Sequence, residues 1–274
     1  MTRAAIALWL LATAAAPAAA EHLPYAVFPD SSALFAAPIA DPRHIGLSAA
    51  YYRMSGKDTA DVALGYSWAV SRWYSRSSYW IYEWSIAGMA YSRFLISGSI
   101  NSFETVDFDA ELPVVIRHDG VSARLSLFHQ SSHLGDDYIR ATGDQGFRYS
   151  MEGLQAQASF EPAGWARVYG GGTYLLHSLP VPSRVVQCGF ELTGPDFKFL
   201  RGSPARLFLA QDLQSHENAR WNVNSHTLAG VDLGLKKSRH HMRFYGGHFE
   251  GHSPFGQFFR RRERYSEIGI SLHL

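Results

Sequence analysis

From Val121 to His133 the chain alternates strictly. Val121, Ala123, Leu125 and Leu127 fall on one side, and Ser122, Arg124, Ser126, Phe128, Gln130 and Ser132 on the other. Successive strand residues point to opposite faces, so this stretch predicts a strand with one greasy wall. The greasy wall runs on into His129, Ser131 and His133. The same period recurs along the chain. Val62, Leu64, Tyr66 and Trp68 oppose Asp61, Ala63, Gly65 and Ser67. Val106, Phe108, Ala110, Leu112, Val114 and Ile116 oppose Asp107, Asp109, Glu111 and Arg117. Ala229, Val231, Leu233 and Leu235 oppose Gly230, Asp232 and Gly234, and Ile268, Ile270, Leu272 and Leu274 oppose Glu267, Gly269, Ser271 and His273. About twelve such strands can be counted from residue 45 onward.

A soluble sandwich and a membrane barrel both produce alternation. A barrel puts the apolar row against lipid and the polar row inside. The long strands, the acid series Asp107, Asp109 and Glu111 facing an interior Arg124, and the strand that ends the chain all favour the barrel. Trp73, Tyr74, Trp80, Trp84, Trp165 and Trp221 are placed as interfacial aromatics. Tight turns are expected at His118-Asp119-Gly120, Glu161-Pro162-Ala163-Gly164 and Lys236-Lys237-Ser238. Longer connections are expected at Leu134–Gly146 and Gly251–Arg262, with two long turns, 71–78 and 194–203, on the otherwise short side. The prediction is an all-β chain, a single antiparallel transmembrane β-barrel of about twelve strands over residues 45–274. Pro24, Pro29, Pro38 and Pro42 make residues 21–44 an irregular N-terminal segment.

Composition changes this picture in one place. Arg3, the apolar run Ala4–Ala15 and Ala18-Ala19-Ala20 predict a secretory signal peptide over residues 1–20, with Glu21 first in the mature chain. The bacterial outer membrane is the expected destination. Net charge is +1 over 274 residues, which gives no argument for nucleic acid as a partner. The single cysteine, Cys188, cannot form an internal disulfide and reads as a small strand residue.

Four stretches carry a resemblance. They are Phe28-Pro29 with Ala40-Asp41-Pro42-Arg43, then His129 through Tyr138, then Tyr149-Ser150-Met151-Glu152, and finally Gly251 through Phe259. Together they resemble the bacterial family known as domain of unknown function 1207, which implies the fold and no activity. His129-Gln130-Ser131 is also similar to the His-x-Ser strand motif of outer-membrane phospholipase A and lipid A 3-O-deacylase. That similarity implies a serine hydrolase site on the lipid-facing wall, with a third member from the following strand. On the strand predicted from Arg148 to Phe160, the apolar row Leu154, Ala156, Ala158 and Phe160 continues to Glu152. The expected catalytic set is therefore Ser131 as nucleophile, His129 as base and Glu152 as orienting acid. Gly135 or a bound cation is the candidate for stabilising an oxyanion.

The bland alternatives remain open at this point. A His-x-Ser tripeptide arises by chance, and interfacial His and Ser also mark a lipid–water boundary. The chain then reads as a lipid-acting serine esterase or deacylase for phospholipid or lipid A, or as a non-enzymatic structural, binding or small-pore barrel. Asp136, Asp137 and Asp144 offer hard oxygen ligands for calcium, or form a solvated acidic loop. Arg260, Arg261, Arg262 and Arg264 offer partners for lipopolysaccharide phosphates, or a solvated basic loop. His240 and His241 lie on opposite sides of a strand, so with His248 and His252 they do not make a metal site.

Overall fold

In a computed structural model, which describes residues 24–29, 33–75, 78–97, 100–181, 184–199, 203–234 and 240–273, the alternating stretches close on themselves. The strands are β1 (Tyr25–Val27), β2 (Leu47–Met54), β3 (Lys57–Tyr74), β4 (Ile81–Ser97), β5 (Ile100–His118), β6 (Val121–Leu134) and β7 (Tyr149–Ala163). They continue as β8 (Ala166–Leu179), β9 (Val185–Thr193), β10 (Phe197–Lys198), β11 (Pro204–His216), β12 (Val223–Gly234), β13 (His241–His252) and β14 (Arg262–His273). One helix, α1 (Asp136–Thr142), sits between β6 and β7. Each long strand pairs antiparallel with the next, β14 pairs with β2, and β3 with β4, so β2–β9 and β11–β14 form a closed barrel of twelve strands. Closure removes every free edge that an open sheet would expose. The short β1 pairs with the end of β3 and β10 with the start of β11. The predicted signal peptide lies outside the described residues, as does the Lys236-Lys237-Ser238 turn.

The walls are sided as the alternation requires. Leu64, Phe108, Val114, Leu125, Phe160, Leu207 and Ile268 are exposed on the outside, Ile268 by 67%. Asp61, Arg93, Asp107, Arg167, Asp212, Asp232 and Glu263 are buried on the inside. No helix of the described residues is long and apolar enough to cross a membrane. Trp73, Trp84 and Trp165 are exposed at one end of the barrel and Trp221 at the other.

Buried charge inside such a wall persists only when it is paired. Arg93, 1% exposed, meets Asp61 on β3 at 2.9 Å and reaches over to Glu263 on β14 at 2.7 Å. Its guanidinium also lies 4.3 Å from the ring centre of Phe255. Glu111 pairs with Arg124, as its position on the next strand suggested. Asp107 and Asp109 do not. Both are taken by Arg43, which arrives from the N-terminal segment.

That segment crosses the lumen. The Ile39 N–H donates to Glu191 at 2.7 Å, and the Ala40 carbonyl lies 2.8 Å from His226 Nδ1. Asp41 accepts from Gln187 at 2.9 Å and from Gln214 at 3.1 Å. Ala40 itself is wholly buried and packs with Phe208, Ala210 and Leu228. The prolines do not forbid all regular structure here, because β1 precedes Pro29 and lies along the free side of β3. The long turn expected at 71–78 is shorter, since β3 runs on to Tyr74 paired with Ile81.

The connections depart from expectation in a second way. The Gly251–Arg262 connection does not stand out in solvent. Its middle turns inward, burying Phe255 and Phe258 in a cluster with Tyr91 and Met89 and Gln257 against Ser132. Its basic tip, Arg260 to Arg262, stays exposed.

Candidate functional site

β6 and β7 are neighbours, and their register places His129 opposite Glu152 and Ser131 opposite Ser150. All four lie on the outward row, because Ser132, Tyr149 and Met151 between them are buried. His129 Nδ1 is 3.3 Å from Glu152 Oε1, with the two side chains 50% and 51% exposed. The acid thus meets one ring nitrogen, and Nε2 has no partner among the described residues. Ser131 stands two residues along the same row, roughly 7 Å by backbone rise. Its hydroxyl makes no hydrogen bond to another described residue, so the predicted trio is brought to one surface with only its His–Glu contact formed. Such an arrangement can orient an imidazole and ready it to take a proton from a hydroxyl swung toward Nε2.

The back of the same strand is held from inside. The Gln257 N–H donates to Ser132 Oγ at 2.9 Å, and its side-chain amide donates to the Ser132 carbonyl at 2.8 Å. The same amide donates to the Phe147 carbonyl at 2.8 Å. Gly256 is required beside it, since a Cβ there would sit 2.6 Å from Ser132 Cβ. The Gln130 oxygen, in the amide orientation that satisfies its surroundings, accepts from both Arg43 amino groups at 3.2 Å. Arg43 also donates to the Pro254 carbonyl at 2.7 Å, and the Gly256 N–H to Asp107 at 2.8 Å. Three of the four stretches singled out in the sequence therefore converge behind Ser131. Sequence reasoning placed Arg43 and Gln257 in those stretches but assigned neither a role.

Other candidates fare differently. The Gly135 N–H donates to the Glu104 carbonyl at 2.8 Å and is already spent, so Gly135 is not the oxyanion donor. It is glycine because a Cβ would lie 2.1 Å from the Phe103 carbonyl oxygen. Asp137 accepts from the Phe103 N–H at 2.9 Å and from Arg140 at 2.5 Å, and these donors hold its carboxyl below the usual range. Asp144 accepts from the Gly146 N–H at 2.9 Å. Among the described residues no three His, Cys, Asp or Glu side chains converge as metal ligands, so Asp136, Asp137 and Asp144 do not form a calcium cage. His241 is bound to Asp232 at 3.0 Å. Arg261 covers Phe258 at 3.9 Å from the ring centre and donates to the Tyr138 hydroxyl, which ties the basic loop to α1.

A second outward pair was missed. His248 Nδ1 lies 3.0 Å from Ser266 Oγ across β13 and β14, six strands around the barrel from β6. Here the serine and histidine sit on different strands, so no tripeptide announces them. No carboxylate contacts this imidazole among the described residues.

Two solved structures share the architecture. The outer membrane phospholipase of Salmonella typhi, solved as a dimer with bound calcium, is 13% identical with a TM-score of 0.58, covering 85% of this chain and 93% of that one. An active-site mutant, N156A, of outer membrane phospholipase A from Escherichia coli is 12% identical with a TM-score of 0.59, covering 90% of this chain and 95% of that one. At these identities the likeness is one of fold. No curated protein matches the sequence. A family model spans residues 10–274, and the chain accordingly belongs to the family described as protein of unknown function DUF1207.

Proposed function

We propose that the protein is a lipid-acting serine acyl hydrolase of the bacterial outer membrane, exported by residues 1–20. Its substrates on this reading are ester-linked acyl chains of phospholipid or lipid A. The observation that carries the reading is the His129 Nδ1–Glu152 Oε1 contact of 3.3 Å on the outward wall. It sets Glu152 beside one ring nitrogen and leaves Nε2 without a partner among the described residues, on the row that Ser131 shares. Lipid acyl chains would lie along Leu125, Leu127 and Phe108, which flank the polar group on that wall.

In this mechanism Ser131 Oγ attacks the ester carbonyl carbon while His129 Nε2 takes its proton. Glu152 stabilises the imidazolium without itself being protonated. The carbonyl oxygen gains the negative charge, and the Ser150 hydroxyl, cross-strand from Ser131, is the neighbour placed to donate to it. Collapse expels the alcohol, protonated by His129, and leaves an acyl-serine. Water activated by the same imidazole then releases the fatty acid. The resemblance in fold to outer membrane phospholipase A supports the substrate class.

The test is Ser131→Ala in detergent-refolded protein assayed on phospholipid and on lipid A. Ester cleavage is expected to fall by about 10³-fold or more with the barrel intact. Wild-type protein inert towards both lipids overturns the reading and leaves a structural or binding barrel.

A further inference from the structure

We propose that the lumen holds a binding site for a phosphate-type oxyanion at the end of the barrel opposite α1, between Arg206 and Arg243. This site is separate from the outward wall and does not depend on the hydrolase reading.

Register builds it. Across β11, β12 and β13 one inward row runs Arg206, Asp232, Arg243, with Arg206 opposite Asp232 and Asp232 opposite Arg243. Asp232, 2% exposed at its side chain, is shared by Arg206 at 3.6 Å, Arg243 at 3.2 Å and His241 at 3.0 Å. One carboxylate therefore faces two permanent cations. A second acid of the lumen, Glu191, is occupied by Arg167 at 3.2 Å and by the Ile39 N–H. The Arg243 group that points away from Asp232 meets His273 Nε2, an acceptor that brings no negative charge. His44 from the N-terminal segment stacks on His273 with ring centres 6.1 Å apart. The other described acids that line the cavity are taken as well: Glu83 by Arg72, Asp109 by Arg43, Glu111 by Arg124, and Asp41 by Gln187 and Gln214.

The space exists. Arg206, Arg243, His241, His273 and His44 all line the same lumenal cavity of about 1230 Å³. Two guanidiniums that share the single Asp232 carboxylate leave a local positive excess, which an anion from solution would stabilise. Two guanidiniums present forked N–H pairs, which match the oxygens of a tetrahedral oxyanion better than they match a halide. The ligand is then inorganic phosphate or the phosphate of a small polar headgroup. Arg206 is the more accessible of the two guanidiniums, 34% exposed at the side chain against 13% for Arg243, and among the described residues it is tied only to Asp232.

The experiment is calorimetric titration of the full chain in maltoside detergent at 150 mM chloride, with inorganic phosphate in one arm and glycerol 3-phosphate in the other. Saturable binding is expected in at least one arm. Tighter binding of inorganic phosphate identifies a free oxyanion, and tighter binding of glycerol 3-phosphate a headgroup. Arg206→Gln is expected to weaken it about tenfold or more. Arg53→Gln, on the outer face at the α1 end beside Asp58, is expected to leave it unchanged. Heat-modifiable migration on gels verifies that each variant is folded. Absence of saturable binding in wild type, equal affinity in Arg206→Gln, or loss on Arg53→Gln overturns the proposal.

Discussion

Gln257 and Ser132 hold each other through two hydrogen bonds, N–H to Oγ at 2.9 Å and side-chain amide to carbonyl at 2.8 Å, although 125 residues separate them. Ser132 faces the lumen and its neighbour Ser131 faces out, so a contact inside the barrel fixes the strand that presents the outward site. Replacing Gln257 by Ala removes the side-chain bonds to the buried Ser132 carbonyl and the partly buried Phe147 carbonyl. A loss of about 1–3 kcal/mol in unfolding free energy is expected from urea titration in detergent. If the clamp also sets the pose of Ser131, kcat on a lipid ester falls while KM stays near wild type.

Glu152 gives a sharper distinction between chemistry and boundary residue. With both partners about half exposed, the pair adds little to stability. Glu152→Gln is expected to leave the unfolding midpoint unmoved and to lower kcat/KM by about 10–10³-fold, since the imidazolium loses its counter-charge. Ser266→Ala, which breaks the better-formed but acid-less pair with His248, is expected to be silent. The reverse order of effects moves the active site to the opposite wall.

Arg93 joins three strands through two carboxylates inside the barrel. Arg93→Leu leaves Asp61 and Glu263 buried without a cation, and about 3–5 kcal/mol of stability should be lost. Adding Asp61→Asn and Glu263→Gln to that variant should restore a large part of it, because the uncompensated charges are then gone. Urea unfolding of the single and triple variants measures both effects.

The N-terminal segment decides whether the barrel conducts. Arg43, Asp41 and Ala40 hold it across the lumen through β5, β9, β11 and β12. Wild-type protein is expected to be electrically silent in planar bilayers. Deleting residues 24–46 is expected to produce steady conductance, and an equally silent deletion shows that the strands and the Gly251–Arg262 connection close the lumen by themselves.

The barrel was legible because a period of two reports directly which wall each residue joins. It held for Asp61 beside Val62 and Leu64, and for Glu267 beside Ile268. The phasing of Glu152 with His129 was legible for the same reason, once adjacent strands were assumed. What stayed hidden were partners distant in sequence. Nothing local to Asp107 says that its cation is Arg43, 64 positions earlier, instead of Arg124 on the adjoining strand. An inward-turning connection looks like any other polar loop until the space it fills is known. The Gly135 N–H looked available because its acceptor, the Glu104 carbonyl, lies 31 positions away by residue number on a strand whose end could not be located.

The occupied lumen constrains how the molecule can be assembled. Residues 39–43 bond to β5, β9, β11 and β12 at once, through Arg43, Asp41 and the Ile39 and Ala40 backbone. Those bonds form together most readily when the N-terminal stretch lies across the sheet as β14 seals against β2. Biogenesis is thus a wrapping around a strut, and shortening that strut will show first as slow closure of the last seam.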